Sequence, residues 1–258
     1  MKTICIANQK GGVGKTTTAV TLGHGLTLAN KKVLLIDFDP QGHVAVKLGI
    51  EPANNIFKWL IAESGQSVIV QTGRNNLFIV PGHKKTAVVQ TMLIADRHPI
   101  NFVKNEVKEL TRGLGLDYII FDTSPSVGGL QESAIFASDY LIIPTGCNFL
   151  SVESIGQTLD TSKYLRESQG WDGRLIGILP TFLDERVKES TTVYDEVKAK
   201  FNGLTLSPIH TSAALAECPA EGITIFEKVT QKSMKSDKYG ARASNEYGAL
   251  VRKVLEVK

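Results

Sequence analysis

Ten residues near the start of the chain constrain its fold more than any others: Asn8-Gln9-Lys10-Gly11-Gly12-Val13-Gly14-Lys15-Thr16-Thr17. They follow a short apolar run rich in β-branched residues (3–7) and precede a helical pattern over 16–29. A glycine turn between a strand and a helix lets consecutive backbone N–H groups point inward at phosphate oxygens. The helix N-terminus behind it adds partial positive charge. In such a loop Lys15 reaches the β- and γ-phosphates of a nucleotide, and the Thr16 hydroxyl is placed to ligate Mg2+. The general pattern wants glycine at position 9, where this chain has Gln9.

The rest of the chain repeats the strand–helix alternation. Apolar runs at 33–36, 76–80, 118–121, 140–143, 175–179 and 204–209 are short and continuous, which suits strands buried on both faces of a parallel sheet. Helical patterns lie at 102–114, 152–167, 186–201 and 247–257. Residues 42–75 and 82–101 give no clear pattern. The expected fold is α/β: a doubly wound, mostly parallel sheet with helices on both faces, in a single domain over 1–258.

Two aspartate motifs sit where such a sheet binds ligands, past strand ends. Asp37-Phe38-Asp39-Pro40-Gln41 follows the second apolar run, and Asp122 closes the run Tyr118-Ile119-Ile120-Phe121. A helix cap plus a turn explains one of the first pair but not both. An apolar run ending in Asp is weak evidence alone; here it continues as Thr123-Ser124-Pro125-Ser126.

Lys10 is the second lysine of the loop. In Lys10-Gly11-Gly12-Val13-Gly14-Lys15-Thr16-Thr17 it resembles the deviant Walker A motif of the ParA/MinD family of ATPases, and the likeness runs over nearly the whole chain. The resemblance implies ATP and Mg2+ as cofactors and a nucleotide-sandwich homodimer in which Lys10 reaches the partner's phosphates, as an arginine finger does. It also implies that Asp37 and Asp122 support the Mg2+ shell with Thr16, and that Asp39 positions the attacking water. Lys10, Lys15 and Asp39 are then the catalytic set, and residues 10–17 hold the phosphates. Pro180, His210 and Ser212 lie where the family encloses the base, and Arg186 matches an arginine associated with DNA. The family segment Ile-Pro-Arg-Asn-x-Arg reads Ile209-His210-Thr211-Ser212-Ala213-Ala214 here, so both arginines are gone.

Charge offers a replacement. The chain has 29 basic and 26 acidic residues, a formal +3. Residues 228–258 hold eight of those bases against three acids, on a body otherwise slightly negative. Lys228, Lys232, Lys235, Lys238 and Arg242 recur every three or four positions, so one helix would carry them as a stripe. With Arg186, that stripe is expected to bind DNA phosphates without reading sequence. A solvated helix face fits the same spacing.

Other classes fit less well. No apolar stretch is long enough to span a bilayer, no secretory signal is visible, and three scattered cysteines form neither a disulfide framework nor a metal knuckle. The expected setting is cytoplasmic and nucleoid-associated, without stable membrane association. A MinD-like membrane switch would want an amphipathic helix appended after the fold, whereas 247–258 reads as a core-packing helix. Small-molecule kinases such as dethiobiotin synthetase, and cobyrinic acid amide synthetases, share the loop; the amidotransferases are expected to carry a further glutaminase domain. The best reading is a ParA-type partition or positioning ATPase stimulated by a ParB-like or cargo-adaptor protein.

Overall fold

The computed structural model describes residues 1–126, 128–231 and 238–257. Seven strands form one sheet: β1 (Lys2–Ile6), β2 (Val33–Asp37), β3 (Val70–Gln71), β4 (Leu77–Val80), β5 (Tyr118–Asp122), β6 (Tyr140–Gly146) and β7 (Arg174–Thr181). Their order is β3-β4-β2-β5-β1-β6-β7, parallel throughout except for the β3–β4 pair at one edge. Strands β1, β2 and β5 are central and buried on both faces, hence their unbroken apolar runs.

The alternation of side chains splits those runs between two cores. Leu34, Ile36, Ile119 and Phe121 face one layer. Its helices are α3 (Asn55–Leu60), α4 (Thr86–Ala95), α5 (Phe102–Leu110), α6 (Leu130–Phe136), α7 (Ser151–Gln169) and α8 (Lys188–Lys200). Val33, Leu35, Tyr118 and Ile120 face the other. That layer holds α1 (Lys15–Leu28), α2 (His43–Lys47), α9 (Ala213–Glu221), α10 (Ile225–Lys228) and α11 (Lys238–Glu256).

Three sequence expectations need correction. No strand forms over 204–209; single bridges at Ile178–Thr205 and Leu183–His210 run beside β7 instead. Pro208 lies between them and has no N–H to give a ladder. The helix expected from 186 starts at Lys188, so Arg186 lies in the loop before it. The terminal helix starts at Lys238 rather than 247 and buries Ala243, Tyr247, Leu250, Val251 and Val254. Its apolar face is taken up by the core of this domain. Among the described residues no helix is long and apolar enough to cross a membrane.

Candidate nucleotide site

The loop between β1 and α1 closes over the carboxyl edge of the sheet. Gly12 and Gly14 take left-handed φ values of 73° and 82°, which side chains with a Cβ resist. Asn8 braces the loop: its side chain donates to the Pro144 carbonyl at 2.8 Å and accepts from Lys10 N–H at 2.9 Å. Thr181, at the end of β7, sets its hydroxyl 3.0 Å from the carbonyls of Val13 and Thr145. Sheet and loop are thus tied on both sides before any ligand arrives.

The two loop lysines occupy opposite environments. Lys15 is buried and donates to the loop's own carbonyls, Asn8 at 2.9 Å and Lys10 at 3.0 Å. Burial pushes its ammonium below the ordinary lysine range, with Asp122 and Asp39 opposing. Lys10 turns the other way, donating at an exposed contact to Asn148 Oδ1 (2.6 Å) and the Phe149 carbonyl (2.5 Å). That contact lies beside the exposed side chains of Phe149 and Leu150.

Beneath the loop lie the carboxylates. Asp37 and Asp122 are register partners at the ends of β2 and β5, and both are fully buried. Asp37 accepts from Asp39 N–H (3.0 Å) and Val44 N–H (3.2 Å). Among the described residues neither oxygen of Asp122 has a hydrogen bond of ordinary geometry, though the Thr16 hydroxyl stands near enough to favour its charged form. Burial pushes Asp122 up to about 7 and Asp37 well above the carboxylate range, the charge of Asp122 adding to the second shift. Gly82 packs behind them, where a Cβ would meet the Asp37 carbonyl at 2.4 Å. A buried carboxylate with no partner marks a place for a cation. Among the described residues no three His, Cys, Asp or Glu cage a metal. Mg2+ does not need such a cage, because one or two carboxylates, water and substrate phosphates complete its shell. The residues therefore fit Mg2+.

The cleft above them has a volume of about 670 Å3 and is lined by Gly12, Lys15, Thr16, Asp39, Ser126 and Phe182, among others. Phe182 lies in the 179–186 segment that resembles the family's base-enclosing stretch, but the sequence did not single it out as lining this cleft. It follows Thr181 in a left-handed turn (φ 56°) and lays its partly exposed ring against Gly14. Only the crossover from β7 puts it there.

The base-site candidates lie along the next edge. Pro180 is buried within β7 and accepts Ile209 N–H at 2.8 Å. His210 and Ser212 border a neighbouring cavity of about 500 Å3 that Pro180 does not line. Ser212 caps α9, accepting from Leu215 N–H. His210 sits in an ionic knot: Nδ1 lies 2.6 Å from Glu246 and Nε2 2.5 Å from Arg242, which also holds Glu185 at 3.2 Å.

The basic stripe is not one helix. Lys228 ends α10 and Lys238 begins α11, while Lys232 and Lys235 lie outside the described residues. Lys228 is buried and paired with Glu217 and Glu221 on α9, so its charge is already met. Arg242 is committed to Glu185 and Glu246. Arg186 is exposed but forms a bidentate pair with Asp184 at 2.8–2.9 Å, holding that carboxyl down to about 2. Lys238 is exposed.

A glycine phosphate loop with a buried lysine, set over paired strand-end aspartates on a parallel sheet, defines a P-loop nucleoside triphosphatase. Residues 1–172 match a family model described as an AAA domain. The sporulation initiation inhibitor protein Soj of Bacillus subtilis is 36% identical over 235 residues, covering 87% of this chain and 90% of Soj. The chromosome partitioning protein ParA of Myxococcus xanthus is 32% identical over 228 residues, covering 86% and 80%. Among solved structures, an ATP complex of McdA from Cyanothece superposes with a TM-score of 0.84 at 25% identity over 100% of this chain and 97% of that one. Cobyrinic acid a,c-diamide synthase of Mycobacterium smegmatis, bound to an ATP analogue and magnesium, gives 0.80 at 27% over 99% and 94%. The chain belongs to the ParA/MinD family; it is a ParA-type ATPase.

Proposed function

We propose that this ATPase is a nucleotide-timed switch, one domain over 1–258, whose ATP-bound form is a homodimer that holds DNA non-specifically. The observation that carries the reading is the split between its loop lysines. Lys15 is buried against the loop, where it can serve the nucleotide of its own chain. Lys10 sits at an exposed contact beside apolar Phe149 and Leu150, where it can serve another chain. A cation supplied in trans stabilises charge building on the phosphoryl oxygens, so hydrolysis waits for a second copy.

Within each site the N–H groups of Gly11, Gly12, Val13, Gly14, Lys15, Thr16 and Thr17 hold the phosphates. Thr16, Asp37 and Asp122 would hold Mg2+, which when bound neutralises phosphate charge and orients the β- and γ-oxygens. Asp39 stands half-buried at the cleft wall and positions water for in-line attack. Pro180, His210 and Ser212 form the base end. Arg186, Lys238 and Arg242, with Lys232 and Lys235, make the DNA face, and Lys228 drops out of that set. Hydrolysis, stimulated by a ParB-like or cargo-adaptor protein, releases DNA, placing the protein in the cytoplasm on the nucleoid. The likeness to the cobyrinate synthase extends over 94% of that chain, so length does not separate a switch from a biosynthetic ATPase. Size-exclusion chromatography of Asp39→Ala does: with ATP it is expected to accumulate as a dimer, and a monomer under every condition, with or without DNA, overturns the switch.

A further inference from the structure

Past Asp39 the chain turns at Gly42 and enters α2, whose five residues end on Lys47. The helix cannot rotate freely. Val44 and Ala45 are buried in the core, and Val44 N–H is bonded to Asp37 Oδ2. These anchors aim Lys47 at the first turns of α1. It lines the nucleotide cleft together with Thr16, Thr17 and Asp39. On its other side it borders a small recess with Thr17, Thr21, Leu215 and Cys218.

The charge has no local owner. Lys47 is half-buried, and among the described residues its ammonium has neither a hydrogen bond nor an ion pair. The carboxylate whose field it feels most is Asp122, and Asp122 in turn feels Lys47 after Lys15. An ammonium offers three donors, and drawing it from water without partners costs free energy. Structural lysines elsewhere in this fold are satisfied: Lys228 by two glutamates, Lys32 by the Leu114 carbonyl at 2.6 Å. Lys47 is held in the wall of an anion site with its donors unspent.

We propose that Lys47 is a third lysine of the nucleotide site, a binding residue whose ammonium supplies positive charge to the bound triphosphate. The inference rests on reading the cleft as that site. Its second consequence concerns the metal. Asp39 lines the cleft and Asp122 lies beneath it, and without Mg2+ their negative charge is opposed by the lysines together with the loop N–H groups. Lys47 therefore matters most when the metal is absent.

The test is equilibrium binding of a fluorescent ATP analogue to the full chain, in EDTA and in saturating Mg2+. Lys47→Met is expected to weaken binding about 10-fold in EDTA and about 3-fold in Mg2+, with Lys47→Arg within about 2-fold of wild type in both. Lys47→Gln replaces the methionine variant should the latter not fold. Unchanged affinity on loss of the charge overturns the inference, and so does an equal loss in the arginine and neutral variants, which would mean packing rather than charge. Lys15→Gln separates the two levels. If it abolishes binding while Lys47→Met binds as wild type does, this inference alone fails; if Lys15→Gln itself binds as wild type does, the cleft is not the nucleotide site.

Discussion

The carboxyl edge of β1, β2 and β5 and the flank built from α9 to α11 are both rich in charge, yet they treat it in opposite ways. At the sheet edge, among the described residues, Asp122 is sealed from water with no hydrogen bond of ordinary geometry, and the Lys47 ammonium has neither a hydrogen bond nor an ion pair. On the flank the buried and half-buried cations face carboxylates, Lys228 facing Glu217 and Glu221 and Arg242 facing Glu185 and Glu246, while Lys238, Arg252 and Lys253 are exposed to solvent. Protein interiors tolerate an unmet charge poorly, so the edge is built to be completed by something from outside. The flank's buried charge is complete as it stands. Charge that the fold leaves unmet points to a ligand more reliably than charge that merely recurs in the sequence.

The largest expected effect breaks the unmet side directly. Lys15→Gln removes the buried ammonium under the loop and should cost roughly 100-fold or more in ATP affinity, measured by titration calorimetry. Wild-type affinity would remove the edge from the comparison altogether.

The next effect is a pH dependence. Asp122 is raised to about 7 in the folded chain, against about 3.9 for an ordinary aspartate. The folded state thus holds a proton that the unfolded chain releases. The stability linked to that proton is fully present below about pH 4 and is lost as pH rises through about 7. Nucleotide-free Asp122→Asn should therefore melt above wild type at pH 8, by roughly 2–4 kcal/mol of stability, with the gap closing toward pH 5. With ATP and Mg2+ the order should reverse. Scanning fluorimetry across pH reads all three, and a gap that ignores pH would show that the carboxyl is not stressed.

Smaller effects probe the flank. Arg186→Glu should weaken DNA retention several-fold and lower the slope of log affinity on log salt by about 1 to 2. Lys228→Ala should leave DNA retention unchanged and lower the melting temperature only slightly, because its carboxylate partners are partly solvated. A Lys228 variant that loses DNA while folding normally would return that residue to the interface and blur the contrast.

What the sequence disclosed follows from range. The loop at 8–17 and the strands at 33–37 and 118–122 were legible because their pattern is local: glycine turns, unbroken apolar runs and strand-end aspartates. The segment 204–209 had the composition of a strand, but Pro208 interrupts its pairing with β7. The stripe failed because helical spacing was extended through a stretch in which α10 ends after four residues. Lys47 and Phe182 were missed for one reason. Lys47 belongs to no motif and Phe182 lies in a segment read only for the base and DNA, and each reaches the cleft only through a turn, at Gly42 for the one and at Phe182 itself for the other.

The central claim is that one chain's site is finished by a second chain's Lys10. Specific ATPase activity as a function of protein concentration tests it most directly. The expected result is a rate per chain that climbs through the dimerisation midpoint for wild type and stays low and flat for Lys10→Ala. A wild-type rate per chain that is constant from dilute to concentrated protein, and matched by Lys10→Ala, would contradict it.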